Sequence, residues 1–158
     1  MSTTNEPGVD LAEKLLSIAP VPMSKVLLQC SGSEANDTAL KLVWYYHHAI
    51  GKPAKRKIIG RAMGYHGSTS ASISASGKFD MHADFGLPFP GFLHTEYPHY
   101  YRNHVDGESE EQYATRLADA FEQLILREGP DTVGAFIGEP AMGAGGGGAG
   151  GPPPPKPA

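Results

Sequence analysis

The chain has a single cysteine among its 158 residues, which excludes an intramolecular disulfide framework and suits a reducing compartment. No apolar run approaches the length of a membrane span. The opening Met1 to Pro7 has neither the basic start nor the apolar stretch of a secretory signal, so the expected location is the cytoplasm. Positive charge is in deficit, with 13 Lys and Arg against 17 Asp and Glu and a formal net charge of −4. Lys52, Lys55, Arg56 and Lys57 are the one basic cluster, and beside Gly51 and Pro53 they read as a solvated turn, which makes nucleic acid a poor partner.

Other absences remove further chemistries. There is no Gly-x-x-x-x-Gly-Lys-Ser/Thr run, and the glycine run Gly143 to Gly148, which satisfies the dinucleotide spacing, precedes no helical pattern. His94, His99 and His104 recur every five residues, a spacing that shares no helical face, and no cysteine pair accompanies them, so no metal site is expected. His47 and His48 are adjacent and diverge, reading as a core-edge and a surface residue. Cys30 reads as packing at a strand end, and Asp80 and Asp84 lack the partner spacing of an acid/base pair.

What is present is alternation. Asp10 and Glu13 read as a helix start, followed by Leu11, Leu15 and Ile18 at helical spacing, until Pro20 and Pro22 end the pattern. Val26 to Gln29 reads as a buried strand. Residues 34–49 place Ala39, Leu40, Val43, Trp44 and His47 on one helical face, with Gly51 as the stop. Lys57 to Gly60 reads as a second strand, while the Ser/Ala-rich stretch Ser68 to Ser76 admits either a helix or a strand. Residues 78–108 read as a long loop with a short strand near Phe92 to Thr95. Ser109 and Gln112 form a capping box for the clearest helix, which carries Tyr113, Leu117, Ala120, Phe121, Leu124 and Ile125 as one stripe and stops at Gly129-Pro130. Val133 to Ile137 is a last apolar strand. Short apolar strands alternating with helices predict an α/β fold with a mainly parallel sheet between helices. The expected organisation is a flexible segment 1–9, an α/β region 10–142 and a low-complexity Gly/Pro-rich tail 143–158.

Three segments fall at or just after carboxyl ends of predicted strands, where open parallel sheets place ligands. In Ser31-Gly32-Ser33 a helix start, a glycine and a hydroxyl suit either an anion or simple helix capping. Gly64-Tyr65-His66-Gly67 offers an aromatic face, or an ordinary turn. Gly138-Glu139-Pro140 offers a carboxylate, or a solvated loop. Together an anion cup, an aromatic face and a carboxylate suit a flat, phosphorylated cofactor.

In order along the chain, Ser31 to Ala35 with Asn36 to Tyr46, then Tyr65-His66-Gly67, then Glu139 to Gly146 resemble the class III aminotransferases, the pyridoxal-phosphate ω-aminotransferases. The similarity runs from about Asp10 to Gly146 and includes Ala19 to Lys25, His82 to Pro88 and Glu128 to Val133. It implies part of the large domain of fold-type I cofactor-dependent transferases. It implies pyridoxal 5′-phosphate held by Gly32 and Ser33 at its phosphate, with Tyr65 stacked on its ring. His66 and Gly67 would shape the loop, and Glu139 would lie beside the ring in a network with a pyridine-facing aspartate. Complete members move an amino group from an amine or ω-amino acid to a keto acid, as dimers with sites at the interface.

The resemblance also implies a sequence shortened at both ends. The pyridine-facing aspartate and the Schiff-base lysine of the family have no counterpart here. Lys14, Lys25, Lys41, Lys52, Lys55, Lys57, Lys78 and Lys156 match no Schiff-base motif, and no catalytic residue is assigned. The expectation is a fragment inactive alone. The alternative is a non-enzymatic remnant that binds cofactor weakly or pairs through exposed sheet edges.

Overall fold

The computed structural model describes residues 5–145, and the chain divides into two units between Cys30 and Ser31. The first unit contains helix α1, Glu6–Ile18. It starts four residues before the expected Asp10. Asn5 is the cap, its Oδ1 accepting from the Gly8 N–H at 2.9 Å. Pro7 fits in the first turn because its missing N–H would have had no helical acceptor anyway. The helix ends at Ile18 because Ala19, which precedes Pro20, is pushed to the extended region (φ −62°, ψ 137°). The expected strand at Val26 to Gln29 is absent. The run enters no ladder, and Leu27 and Leu28 are 64% and 49% exposed. β-branched and apolar residues make a strand only where a neighbouring strand takes up the backbone groups.

The second unit is a parallel α/β layer structure. Its helices and strands are α2 (Gly32–Ala49), β1 (Lys57–Arg61), α3 (Ser70–Ala75), β2 (Phe92–Thr95), α4 (Tyr100–Asn103), α5 (Glu110–Glu128) and β3 (Val133–Phe136), with a 3-10 turn at Phe79–Met81. The sheet order is β2-β1-β3 with both pairings parallel. Ile58 aligns with Phe92 and with Ala135, and Ile59 with Leu93 and with Phe136. The Ser68 to Ser76 stretch, open between helix and strand in the sequence, is helical as α3. The low-complexity tail lies outside the described residues from Gly146 onward.

Strand alternation divides the core between two faces. Leu40, Ile58, Ala75 and Phe92 form one buried cluster, with Val43, Trp44, Ala71, Ala135 and Ile137 packed against it, so α2 and α3 cover that face. Ala39, expected on the same stripe, is exposed. Ile59 points the other way and is also fully buried, and on its side Phe136 meets Phe121 of α5 with ring centroids 5.0 Å apart. Burying each of these isoleucines contributes roughly 1.5–3 kcal/mol.

The capping box of α5 is present as expected, Ser109 Oγ accepting from the Gln112 N–H at 3.2 Å and Gln112 Oε1 from the Ser109 N–H at 2.9 Å. Arg116 grips Glu108 with two nitrogens, at 2.8 and 3.0 Å. That hydrogen bonding is the main reason the Glu108 carboxyl is held down at about 2. The basic turn is less solvated than its composition suggests. Lys55 Nζ donates to the carbonyls of Pro130 and Val133 at 2.7 and 3.1 Å, and Lys57 Nζ to the Glu128 carbonyl at 2.7 Å, so both clamp the entry to β3.

Gly60 makes the sheet fit under α3. A methyl group there would be driven into the Ala75 carbonyl oxygen and lie 3.3 Å from its carbon. Gly60→Ala is expected to lower the stability of the chain by about 1–3 kcal/mol. The measurement is a shift of the urea midpoint without a change of slope, and an unchanged midpoint would contradict the packing described.

Candidate functional site

The parallel sheet delivers the carboxyl ends of β1 and β3 to one end of the layer, and the two segments that follow them meet there. After Arg61 the chain makes a tight turn, with the Gly64 N–H donating to the Arg61 carbonyl at 3.0 Å and Met63 in the left-handed region at φ 64°. That conformation is uncommon for a side-chain-bearing residue. The turn directs the Tyr65 N–H at the Glu139 carboxylate, whose Oε1 accepts at 2.9 Å. Glu139 Oε2 accepts from the Gly143 N–H at 3.0 Å, so both carboxylate oxygens are engaged.

Helix α2 supplies the second wall. Its cap is Ser31, whose Oγ accepts from the Glu34 N–H at 3.2 Å. Ser33, considered above for capping, instead sits in the first turn and is freed for the loop. Its Oγ accepts from the Ser68 N–H at 3.1 Å. The amides of Gly32 and Ser33 belong to the first turn and have no intrahelical acceptor, and the space a Cβ on Gly32 would occupy is open to 4 Å. One turn further on, Asn36 Nδ2 donates to the His66 carbonyl at 2.6 Å. Asp37 Oδ1 accepts from Thr69 Oγ1 at 2.8 Å and from the Ser72 N–H at 2.9 Å.

Ser68 joins the two walls. Its amide binds Ser33, and its Oγ lies 3.0 Å from the Tyr65 hydroxyl. The phenol is thereby tied to the helix start, while Tyr65 remains 36% exposed and its ring accessible. Gly67, at φ 135°, is required for this approach: a Cβ would overlap Ser72 Oγ and stand 2.7 Å from Ser33 Oγ and 2.9 Å from Ser33 Cα. His66 is buried. Its N–H donates to Ser76 Oγ at 2.7 Å, and Ser76 Oγ in turn donates to the Ser72 carbonyl at 2.9 Å.

The electrostatics follow from this packing. Burial pushes the His66 imidazole below its ordinary value; the Glu139 carboxylate opposes the shift and Arg61 adds to it. Partial burial of Glu139 favours its neutral form. The amides of Tyr65 and Gly143, helped by His66 and Arg61, outweigh that effect and hold its carboxyl below the usual range. The result is an ionised carboxylate beside a neutral imidazole. One atom is left over: His66 Nε2 is buried with no hydrogen-bond partner among the described residues.

The structure therefore brings Gly32, Ser33, Tyr65, His66, Gly67 and Glu139 to the same end of the sheet, linked through Ser68, Asn36 and the Tyr65–Glu139 hydrogen bond. Two free amides, a serine hydroxyl still able to donate and an open glycine face form a donor set suited to a phosphate, with an aromatic ring nearby. Sequence reading passed over Ser68, Asn36, Asp37 and Ser76. Their signal was available for α2, where Asn36 and Asp37 lie three and four positions after Ser33 and so share its face. Cys30, expected as packing, is exposed because the strand that would have buried it is absent. His94, His99 and His104 pack against aromatic neighbours: His94 against Phe79, His99 against Tyr97 and His104 stacked on Tyr100 at 4.6 Å.

Known proteins match most of the chain. The family model Aminotransferase class-III matches residues 1–151. "Gamma-aminobutyrate transaminase 1, mitochondrial" of Oryza sativa subsp. indica is 55% identical over 143 residues, which are 90% of this chain and 28% of the relative. Vanillin aminotransferase of Capsicum chinense is 56% identical over 142 residues, 89% of this chain and 31% of the relative. Among solved structures, the omega transaminase from Pseudomonas jessenii in complex with PMP superposes with a TM-score of 0.88 at 58% identity, over 90% of this chain and 32% of that one. The chain spans between 28% and 32% of the length of these relatives.

The site's charges are open to direct measurement. Because the folded His66 value lies below the ordinary 6.5, the neutral ring's contribution to stability is complete above pH 6.5 and is lost as the pH falls through the folded value. NMR titration of the imidazole is expected to place His66 below 6.5. Glu139→Gln should lower it further, since the carboxylate is what opposes the shift. A His66 value that rises in Glu139→Gln would refute the description.

Proposed function

The chain belongs to the class III aminotransferases, and from that premise we propose that it forms the phosphate-and-ring side of a pyridoxal-phosphate site. The cofactor of this family is pyridoxal 5′-phosphate, and one solved relative holds PMP. Bound there, the group supplies the electron-withdrawing ring that amino-group transfer requires. The Gly32 and Ser33 amides and the Ser33 hydroxyl hold the phosphate, where the α2 dipole also favours negative charge. Tyr65 presents its ring face and fixes the plane of the bound pyridine. His66 and Gly67 shape the connecting loop, and Glu139 sets a fixed negative charge beside the ring.

The observation that carries this reading is the pair of hydrogen bonds made through Ser68 and Glu139: Ser33 Oγ to the Ser68 N–H at 3.1 Å and Glu139 Oε1 to the Tyr65 N–H at 2.9 Å. They hold cup, ring and carboxylate together.

For the reaction, we propose transfer of an amino group from an amine or ω-amino acid to a keto acid by the complete protein, acting as a homodimer in the cytoplasm. The rice relative is named mitochondrial, and among the described residues no helix is long and apolar enough to cross a membrane. For this chain by itself we propose binding without turnover. Among the described residues no lysine hydrogen-bonds to Ser33, Tyr65, His66 or Glu139, and Lys55 and Lys57 are committed to carbonyls at the far end of β3. Among the described residues, then, no hydrogen bond brings a lysine amine into the site.

Titration of the purified chain with pyridoxal phosphate, followed by absorbance, tests this. Saturable binding is expected, weakened about 100-fold when Ser33→Ala and Tyr65→Ala are combined. Amine-dependent conversion of a keto acid should not be detected. Absent binding, or binding indifferent to both substitutions, would remove the site assignment; turnover would remove the separation of binding from catalysis.

A further inference from the structure

We infer that Arg61 is a positioning residue that sets the Glu139 carboxylate, a role that rests on the reading of Glu139 as part of the cofactor site. Arg61 ends the central strand, and its Nη1 donates to the Glu139 main-chain carbonyl at 3.1 Å. Its guanidinium carbon lies 5.2 Å from the centre of the Phe136 ring, in cation–π contact. One side chain thus fastens the chain on both sides of the turn leaving β3, at Phe136 and at Glu139. Between those anchors Glu139 is held where its two oxygens meet the amides of Tyr65 and Gly143.

Close packing does not hold Arg61 in place. Arg61 lines two cavities, one of about 420 Å³ walled also by Thr95, Leu117 and Phe121, and one of about 320 Å³ walled also by Tyr97, His99 and Met142. A different side chain at position 61 has room to turn away, so the placement depends on the hydrogen bond and the stacked ring. Arg61 also makes no ion pair among the described residues. Its charge acts instead across space on Glu139 and His66, favouring the ionised carboxylate and the neutral imidazole. Lysine would keep the charge but lose the planar surface that stacks and the fork that reaches the carbonyl. Glutamine loses the charge and the long fork.

The test is hydrogen exchange at single amides of the whole chain, with pyridoxal phosphate titration as a second readout. In Arg61→Gln the Tyr65 and Gly143 amides should exchange at least about tenfold faster, while the Ile58 amide, bonded to the Gly91 carbonyl at 2.9 Å, keeps its protection and reports an intact sheet. Arg61→Lys should fall between wild type and Arg61→Gln. Affinity for pyridoxal phosphate should drop about tenfold in Arg61→Gln, and the double variant Arg61→Gln/Glu139→Gln should bind no more weakly than Glu139→Gln alone, the signature of action through one residue. Unchanged Tyr65 exchange in Arg61→Gln, or additive losses in the double variant, would overturn the inference. If Ile58 loses protection as well in Arg61→Gln, Arg61→Lys decides by the same amides. A wild-type chain that binds no pyridoxal phosphate would sink the cofactor reading, and the exchange data would still decide the role of Arg61.

Discussion

The site depends on one helical face gripping one loop. Ser33, Asn36 and Asp37 stand at the start of α2 with the spacing that puts them side by side, and each holds a different part of the segment after β1: the Ser68 amide, the His66 carbonyl, and Thr69 with Ser72. A loop between a strand and a short helix would otherwise rely on water for these groups. The grip also explains Gly67, because only a residue without a Cβ lets the loop lie against Ser33. Remove the helix face and the Ser33 turn and the Tyr65 loop lose their common frame, although β1 and its neighbours keep their ladders.

A second constraint works from the other side. β3 is a short strand, and the chain turns sharply after it, so the direction of Glu139 is not determined by the ladder alone. Three elements settle it: the Tyr65 amide delivered by the left-handed turn at Met63, the Gly143 amide, and Arg61 stacked on Phe136. These hydrogen bonds also account for the charge state. A half-buried carboxylate without donors would drift toward its neutral form, whereas two amides and a nearby guanidinium keep it ionised. The neutral His66 next to it is the matching half of the same arrangement, held neutral mainly by burial.

Much of this was legible beforehand, for reasons that differ by element. The boundaries of α5 were readable because capping residues act locally: Ser109 and Gln112 need only each other. β1, β2 and β3 were readable as short apolar runs between turn residues. Val26 to Gln29 has the same appearance and is not a strand, because pairing is a property of two segments and no partner is present among the described residues. The start of α1 was missed because Asp10 and Glu13 imitate a capping box inside a helix whose real cap, Asn5, is followed by a proline that reads at first as a breaker. Of the site, Ser33, Tyr65 and Glu139 were visible as chemistry-bearing residues at strand ends. Ser68, Asp37 and Arg61 were not, since an ordinary serine, aspartate or arginine acquires its role only from a neighbour dozens of positions away.

The hydrogen bonds also set the two ends of the sheet apart. Among the described residues, the side-chain hydrogen bonds that fix Ser33, Tyr65 and Glu139 run between positions 33 and 143, so these walls brace one another. At the other end Lys55 and Lys57 spend their ammonium groups on the carbonyls of Glu128, Pro130 and Val133. Those carbonyls lie at the amino end of β3, the opposite end from Glu139. In a parallel sheet the two ends are separated by the length of the strands, and no side-chain rotation carries Lys55 or Lys57 across it. The parallel topology thus puts the lysine clamp at one end of the strands and the Tyr65–Glu139 hydrogen bond at the other.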